Sequence, residues 1–262
     1  MLIQTSYLAD KEVAMLEVKN LMVFFENALA INDLTLTLSE GEFVGVIGSI
    51  SAGKTTLMNT VSGLIIDMKI KEQRKGGERI NIYGEILFNG ENISDVQPFE
   101  RVKKGLVLSR ERHPIFGESD VAENLKIAGH RVKRSELARR LEEVYAIFPA
   151  LNPLKKRKAG FLSGCEQQML AIGMALILNP DLLLLDEPLL GLSPMMQTML
   201  IDAITNLRQE SGITILITEQ FARPVLPIID RGYVMENGML ALAGTGEELM
   251  DNPEIKSAYF GV

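Results

Sequence analysis

Three stretches of this chain carry residue types at spacings that can do chemistry on a phosphorylated ligand. The first is "GSISAGKTT", which begins on the last residue of the apolar run "FVGVIG" and meets the pattern G-x-x-x-x-G-K-[ST] with Gly48, Gly53, Lys54 and Thr55. Glycines let the backbone wrap closely around an anion, and the N–H groups of the loop then converge on phosphate oxygens. A helix starting near Lys54 adds the positive end of its dipole. Lys54 would reach the β and γ phosphates, and the Thr55 hydroxyl would ligate Mg²⁺. The plainer reading, a glycine turn with an exposed lysine, is disfavoured by the strand-like run before the loop and the helical spacing after it. Kinases, GTPases, motor ATPases and transport ATPases all use this pattern, so other residues must choose between them.

The second stretch, "LLLLDEP", places Asp186 and Glu187 where a buried strand runs out. Ligands of open parallel sheets bind outside the carboxyl ends of the strands, so these acids face the site that the glycine loop builds. Asp186 suits Mg²⁺, and Glu187 suits a general base that polarises water for in-line attack on the γ-phosphate. Without the glycine loop, a polar turn stopped by Pro188 would be the simpler account. The third stretch, "LSGCEQQMLAIGMALILNP", opens on Ser163 with Glu166 three residues later, a capping box that predicts a helix ending before Asn179-Pro180. A well-capped core helix explains it fully. Gly164 also leaves the first amides open to an anion.

The elements that must position these groups follow from apolar spacing. "LEVKNLMVFF" and "LTLTLSEGEFVGVIG" predict strands ahead of the loop, and "KTTLMNTVSGLI" a helix after it. "DMKIKEQRKGGERINIYG" is charged in both signs and contains Gly76-Gly77, which predicts an exposed hairpin or loop before the strand "GEILFNG". From "QPFERVKKG" to "LILNP" the helical pattern dominates, as in "SELARRLEEVYAIF". Strand and helix then alternate through "DLLLLDEP", "PMMQTMLIDAITNLRQES" and "GITILITEQ". "RGYVMENGMLALAG" predicts a hairpin turning at Asn237-Gly238. The result is an α/β chain with a largely parallel, covered sheet and an inserted helical lobe.

Composition bounds the partners. The net charge of −7 offers no general attraction to nucleic acid or anionic lipid, and the basic run "LKKRK" reads as a solvated loop. The single cysteine, Cys165, cannot form an internal disulfide, which suits a reducing cytoplasm. The N-terminus does not read as a signal peptide, and no apolar run nears the ~20 residues that span a bilayer. Work at a membrane would need partners. His113 and His130 lack paired ligand spacing and read as surface or loop residues.

In order, the chain carries the glycine loop, "LSGCEQQMLAIGMAL", "LLLLDEP", "LLGLSP" and "ILITEQ". This set closely resembles the nucleotide-binding subunit of ATP-binding cassette transporters. Within them it is most similar to the branched-chain (hydrophobic) amino acid uptake group, on "EQQMLAIG", Glu219-Gln220 and the ending "NPEIKSAYFG". The resemblance covers nearly everything from Leu16 to Gly261. It implies a P-loop NTPase core with a largely parallel sheet, an N-terminal antiparallel β part and an inserted α-helical subdomain. One domain would span 14–262 after a tail at 1–13, with the helical subdomain at about 96–179 receiving the permease's coupling helix.

The resemblance further implies that two copies clasp two ATP molecules. Each nucleotide lies between the loop of one copy (Gly48, Ser49, Ile50, Ser51, Ala52, Gly53, Lys54, Thr55 and Thr56) and Ser163, Gly164 and Cys165 of the other. Phe25 matches the family's adenine-stacking aromatic, the alternative being that Phe24 or Phe25 is plain core. Glu111 falls where relatives sense Mg²⁺ and the transmembrane partner, and Gln220 where many cassettes carry a switch histidine. Gly191 and Leu192 match the loop that crosses the dimer interface. Glu187, Gln220 and Lys54 form the implied catalytic set, with Thr55 and Asp186 on Mg²⁺. The implied partners are a second nucleotide-binding subunit (identical or related), transmembrane permease subunits and a solute-binding protein, with no nucleic acid. The implied place is the cytoplasmic face of the membrane.

The chain departs from the family's patterns at several positions. Ser49, Ile50 and Ser51 replace proline, asparagine and glycine, and Cys165 replaces the second glycine of L-S-G-G-E. Met174 stands for arginine and Leu189 for serine, and the stretch from Met68 to Arg79 is an insertion. If Cys165 needed a positive φ it would cost on the order of 1 kcal/mol; the capping box implies helical φ instead, leaving only crowding beside the γ-phosphate. Lys54, Thr55, Asp186 and Glu187 all survive, so ATP binding and hydrolysis are expected, at a rate the departures could lower. The alternative is an ATP-binding but weakly hydrolysing subunit of a heteromeric pair.

Overall fold

The computed structural model describes residues 14–77, 80–111 and 115–260; the tail at 1–13, His113 and the last two residues lie outside the described residues. The apolar run before the glycine loop becomes β3 (Phe43–Gly48), every residue of which is buried. It sits near the middle of a six-stranded sheet with β6 (Leu106–Ser109), β7 (Leu182–Asp186), β8 (Thr214–Glu219), β9 (Arg231–Glu236) and β10 (Met239–Thr245). The order is β10-β9-β3-β8-β7-β6, and every pairing is parallel except β10 against β9. That pair is the expected hairpin, with Asn237 at φ 48° and Gly238 at φ 81°, as a tight two-residue turn requires.

Both faces of this sheet are covered, which is why its strands read as unbroken apolar runs. Side chains alternate between two cores. Phe43, Ile47, Leu183, Leu185, Ile215 and Ile217 pack in one core, together with α4 (Val121–Ala128), α5 (Arg134–Ile147), α6 (Gly164–Leu176) and α7 (Pro194–Ser211). Val44, Val46, Leu182, Leu184 and Leu216 pack in the other, against α1 (Lys54–Val61) and a second sheet. The second sheet is antiparallel, in the order β2-β1-β4-β5, built from β1 (Leu16–Phe25), β2 (Ala28–Leu38), β4 (Ile80–Phe88) and β5 (Glu91–Asn92).

The structure revises two readings. The stretch from Asp67 onward is not an exposed hairpin or loop: α2 (Leu64–Arg74) runs through it, and β4 begins at Ile80 and pairs with β1. Gly63, at φ 82°, breaks the helical run after α1, and buried Ile65 anchors α2. Met, Lys, Glu, Gln and Arg are all good helix formers, so mixed charge there marks a solvated helix face. Within the helical-pattern stretch after α3 (Pro98–Lys103), the four residues of β6 return to the edge of the core sheet beside β7. Four residues are too few to show a period, and pairing with β7 decides their state.

Arg101 on α3 ties the fold to the site. Its guanidinium is almost wholly buried and donates to the carbonyls of Thr60 and Val61 at the end of α1, and to those of Ser94 and Val96, at 2.8–2.9 Å. A cation there satisfies the Val61 carbonyl and adds to the Gly63 N–H on the Thr60 carbonyl, at the end of the helix whose other end carries the glycine loop. Burial lowers the pKa of Arg101 to about 10, with Asp95 opposing, so it stays charged at neutral pH. Replacing Arg101 with Leu strands the carbonyls of Val61, Ser94 and Val96 and should cost about 3 kcal/mol or more in denaturant unfolding. Arg101→Lys should recover only part of this, because an ammonium cannot reproduce the fork.

Candidate active site

Parallel pairing of β3, β6, β7, β8 and β9 brings all their carboxyl ends to one edge. The glycine loop after β3, Glu111 after β6, Asp186 and Glu187 at and after β7, Gln220 after β8 and the turn after β9 therefore share that edge. An open cleft of about 480 Å³ lies there, lined among others by Phe25, Ser51, Gly53, Lys54, Thr55, Thr56 and Glu187. A larger cavity of about 910 Å³ lies by the amino ends of β7 and β8, bordered by Asp181 and Thr214, and contains none of the candidate residues.

The loop's shape depends on glycine at two positions. A Cβ on Gly48 would come 2.5 Å from the Met235 carbonyl oxygen. Gly53 has φ 110°, and a Cβ there would meet the Met235 side chain at 2.7 Å and the Ala30 carbonyl oxygen at 2.8 Å. The β9–β10 turn braces the loop, with Gly238 N–H donating to the Ala52 carbonyl at 2.9 Å. Ala52 is buried and Ile50 is 74% exposed. Ser51 holds φ 66°, a cost of about 1 kcal/mol or more for an L-residue.

Lys54 is 3% exposed and donates to the carbonyls of Gly48 and Ser49, at 2.8 Å each. Its ammonium also pairs with Glu187 Oε1 at 3.0 Å. Glu187 itself sits at φ 46°, a left-handed conformation that a non-glycine residue adopts only when its surroundings impose it. Its N–H is held by the Thr218 carbonyl at 3.0 Å and the Thr218 hydroxyl at 3.3 Å. Asp186 Oδ1 accepts from Thr218 Oγ1 at 2.8 Å and from Thr55 Oγ1 at 3.4 Å. Burial raises the Asp186 pKa, with Glu187 and Glu111 adding to the rise and the two hydroxyls opposing it. A buried carboxylate beside a hydroxyl, with the nearby lysine engaged elsewhere, is a donor set short of a cation. Two protein oxygens are what Mg²⁺ takes when phosphates and water supply the rest. Among the described residues, no group of three or more His, Cys, Asp or Glu could hold a metal.

Phe25 lines the cleft with part of its side chain and packs against the core with the rest. Phe24 points the other way and meets Tyr83 edge-on at 6.1 Å between ring centres. Ser163 caps α6 in the expected box: Glu166 N–H reaches Ser163 Oγ at 3.4 Å and Ser163 N–H reaches Glu166 Oε2 at 2.7 Å. Ser163 and Gly164 are exposed and do not line the cleft of their own chain. Cys165 is helical, as the box implies, but its thiol is buried, 3.9 Å from the Met196 carbonyl. Burial, then Glu166, pushes the thiol pKa up. The substituent that was expected to crowd the outer face thus packs inward against α7. Gly191 has φ 75°, and Leu192 lies beside Gly164.

The residue that sequence reasoning passed over is Glu219, which it used only as half of the "EQ" pair. It ends β8 with 1% exposure, and its Oε1 accepts from Leu189 N–H at 2.7 Å. The available signal was a carboxylate closing the otherwise buried run "TILIT".

The sequence profile described as ABC transporter matches residues 31–190. The chain belongs to the ABC transporter family. It is 34% identical over 247 residues to the high-affinity branched-chain amino acid transport ATP-binding protein BraG of Pseudomonas aeruginosa, covering 94% of this chain and all of that one. It is 32% identical to a probable branched-chain amino acid transport ATP-binding protein, LivF, of Archaeoglobus fulgidus, over 88% of this chain and 92% of that one. A solved ATP-binding cassette of an ABC transporter, in its ADP conformation, superposes with a TM-score of 0.77 at 27% identity, covering 95% of this chain and all of that one. This protein is an ABC transporter ATP-binding subunit, and hence an ATPase.

Burial raises the pKa of Glu219 to about 8, against the opposing pull of the Leu189 and Gln220 amides and Lys54. The folded chain therefore keeps a proton that the unfolded chain releases near 4.5. This contribution to stability is whole below that value and is lost as pH climbs towards 8. From pH 5 to 8, wild-type stability in urea should fall relative to Glu219→Gln by up to about 1.4 kcal/mol per pH unit. A constant gap between the two proteins across that window would contradict the assignment.

Proposed function

We propose that two such subunits, this chain with a copy of itself or with a related chain, bind two ATP molecules and use their hydrolysis to drive import of a branched-chain or other hydrophobic amino acid. The observation that carries the catalytic part is the convergence of Lys54 and Glu187 on one cleft at the carboxyl edge of the sheet, 3.0 Å apart. Adenine stacks on Phe25, and the phosphates lie along the loop from Gly48 to Thr56. The ammonium of Lys54 exchanges its carbonyl and Glu187 partners for phosphate oxygens, which frees Glu187 to orient and deprotonate a water in line with the γ-phosphate. Thr55 and Asp186 hold Mg²⁺, which when bound offsets charge on the phosphate oxygens. Gln220 and Glu111 sit at the ends of β8 and β6 on the same edge and report the state of the phosphates, Glu111 to the transmembrane subunits.

Ser163 and Gly164 offer an open helix start away from their own chain's cleft, so they meet the γ-phosphate of the facing subunit. Leu192 lies beside that helix start and, with Gly191 before it, crosses the interface. The helical lobe at about 96–179 docks the permease, a solute-binding protein delivers the amino acid, and the subunit works on the cytoplasmic face of the membrane. Among the described residues no helix is long and apolar enough to cross a membrane. The amino acid assignment rests on the names of the relatives, BraG and LivF.

Glu187→Gln should lower kcat for Mg-ATP by about 100-fold or more while leaving ATP affinity within a few-fold. Wild-type turnover no faster than this variant, with and without the permease, would retire the enzymatic reading. On the Glu187→Gln background, Ser163→Arg should weaken ATP-dependent dimerisation in sedimentation velocity. An unchanged dimer fraction would remove α6 from the interface.

A further inference from the structure

β8 is inserted between the two motif-bearing strands: Ile47 of β3 pairs with Glu219 on one side, and Asp186 of β7 pairs with Thr218 on the other. The last two residues of β8 thus lie between the glycine loop and the acidic pair, and both grip the turn that leaves β7. Thr218 takes the N–H of Glu187 through its carbonyl and hydroxyl, at 3.0 and 3.3 Å. Glu219 reaches past Glu187 and Pro188 to take the N–H of Leu189 at 2.7 Å. Leu189 is also held from the far side, where Gln197 of α7 donates to the carbonyls of Leu189 at 3.4 Å and Leu192 at 3.2 Å. Leu189 fills the core with 2% exposure, so the turn cannot relax outward.

We propose that Glu219 is a positioning residue for the ATPase reaction: its carboxyl, fastened to the Leu189 amide, holds the turn in which Glu187 keeps its left-handed backbone and aims its carboxylate into the cleft. The proposal rests on the reading of Glu187 as the general base. Glu219 does not touch the ligand space, since it is buried and does not line the cleft. The strain at Glu187 explains why a clamp is needed. A left-handed glutamate relaxes to an ordinary conformation unless the residues on both sides of it are fixed, and Thr218 and Glu219 fix them. Burial keeps the Glu219 carboxyl largely protonated at neutral pH. It therefore does not draw Lys54 away from Glu187 or from phosphate, and a neutral amide of the same shape can replace it. The Leu189 carbonyl held by Gln197 connects this clamp to the Gly191 and Leu192 loop, so the aim of the base and the shape of that loop both depend on how Leu189 is held.

The test compares Glu219→Ala, Glu219→Gln and Glu187→Gln in the full-length protein, measuring kcat and KM for Mg-ATP alongside Tm. Misplacing a catalytic group by about 1 Å costs on the order of 100-fold. Glu219→Ala should therefore lose roughly ten- to a hundredfold in kcat with KM within about twofold. Glu219→Gln, which keeps the acceptor, should return to within about threefold of wild type. If Glu219→Ala does not fold, Glu219→Asp carries the same test, because it keeps the acid and withdraws it by one methylene; the same loss in kcat is expected. Wild-type kcat in Glu219→Ala or Glu219→Asp overturns the proposal. So does an equal loss in Glu219→Gln, since charge rather than the held amide would then matter. If Glu187→Gln itself turns over at the wild-type rate, the reading of Glu187 as base has failed. If Glu187→Gln is inactive and Glu219→Ala is normal, only the positioning role has failed.

Discussion

The ammonium of Lys54 lies between the carbonyls of Gly48 and Ser49 and the carboxylate of Glu187, almost sealed from water. A buried charge of this kind is tolerated only when every one of its donors is used. Two of the partners lie at the start of the glycine loop and the third just past a strand far away in sequence, so this one group fixes the distance between the glycine loop and the end of β7. Phosphate oxygens offer the same charge and the same acceptor count. The ion pair therefore holds the site in shape and leaves it ready to exchange one set of acceptors for another.

Around that contact the edge of the sheet carries several conformations that are costly in isolation. Glu187 and Ser51 both have left-handed backbones, and Asp186 and Glu219 are carboxyls whose pKa burial raises. Each is supported from beneath by a fully apolar strand and two cores, and from the side by Thr218, the β9–β10 turn and Arg101. The rigidity lies where it is needed: α1 is tied at its carboxyl end by a guanidinium, and the loop at its amino end is pinned by backbone contacts that only glycine permits. The departures from family residues fall at the margins of this frame. Ile50 is exposed, Ser51 adds strain to the loop, and Cys165 turns its thiol into the core. Lys54, Thr55, Asp186 and Glu187 stay within reach of one another.

Much of this was legible in the chain itself. The glycine loop, the acidic pair, the capping box at Ser163, the long helix at α7 and the hairpin at Asn237-Gly238 are local signals, each carried by residues within a few positions of one another. Other features were not. Asp67 to Arg74 reads as a polar loop because its charges hide the single buried contact at Ile65 that anchors α2. β6 is too short to reveal itself except by pairing with β7. Glu219 reads as one letter of a dipeptide, and nothing near it in sequence says that its carboxyl ends on the amide of Leu189.

Residue types and spacing therefore determined which groups are present and on which element each one stands, because propensity, capping and turn chemistry act over a handful of residues. Strand order was decided only in three dimensions. Placing β8 between β3 and β7 brings Thr218 and Glu219 against the turn at Glu187, and sets Lys54 against a carboxylate more than a hundred residues away. Such contacts depend on which apolar faces cover which, a property of the whole folded sheet that no local stretch of the chain contains.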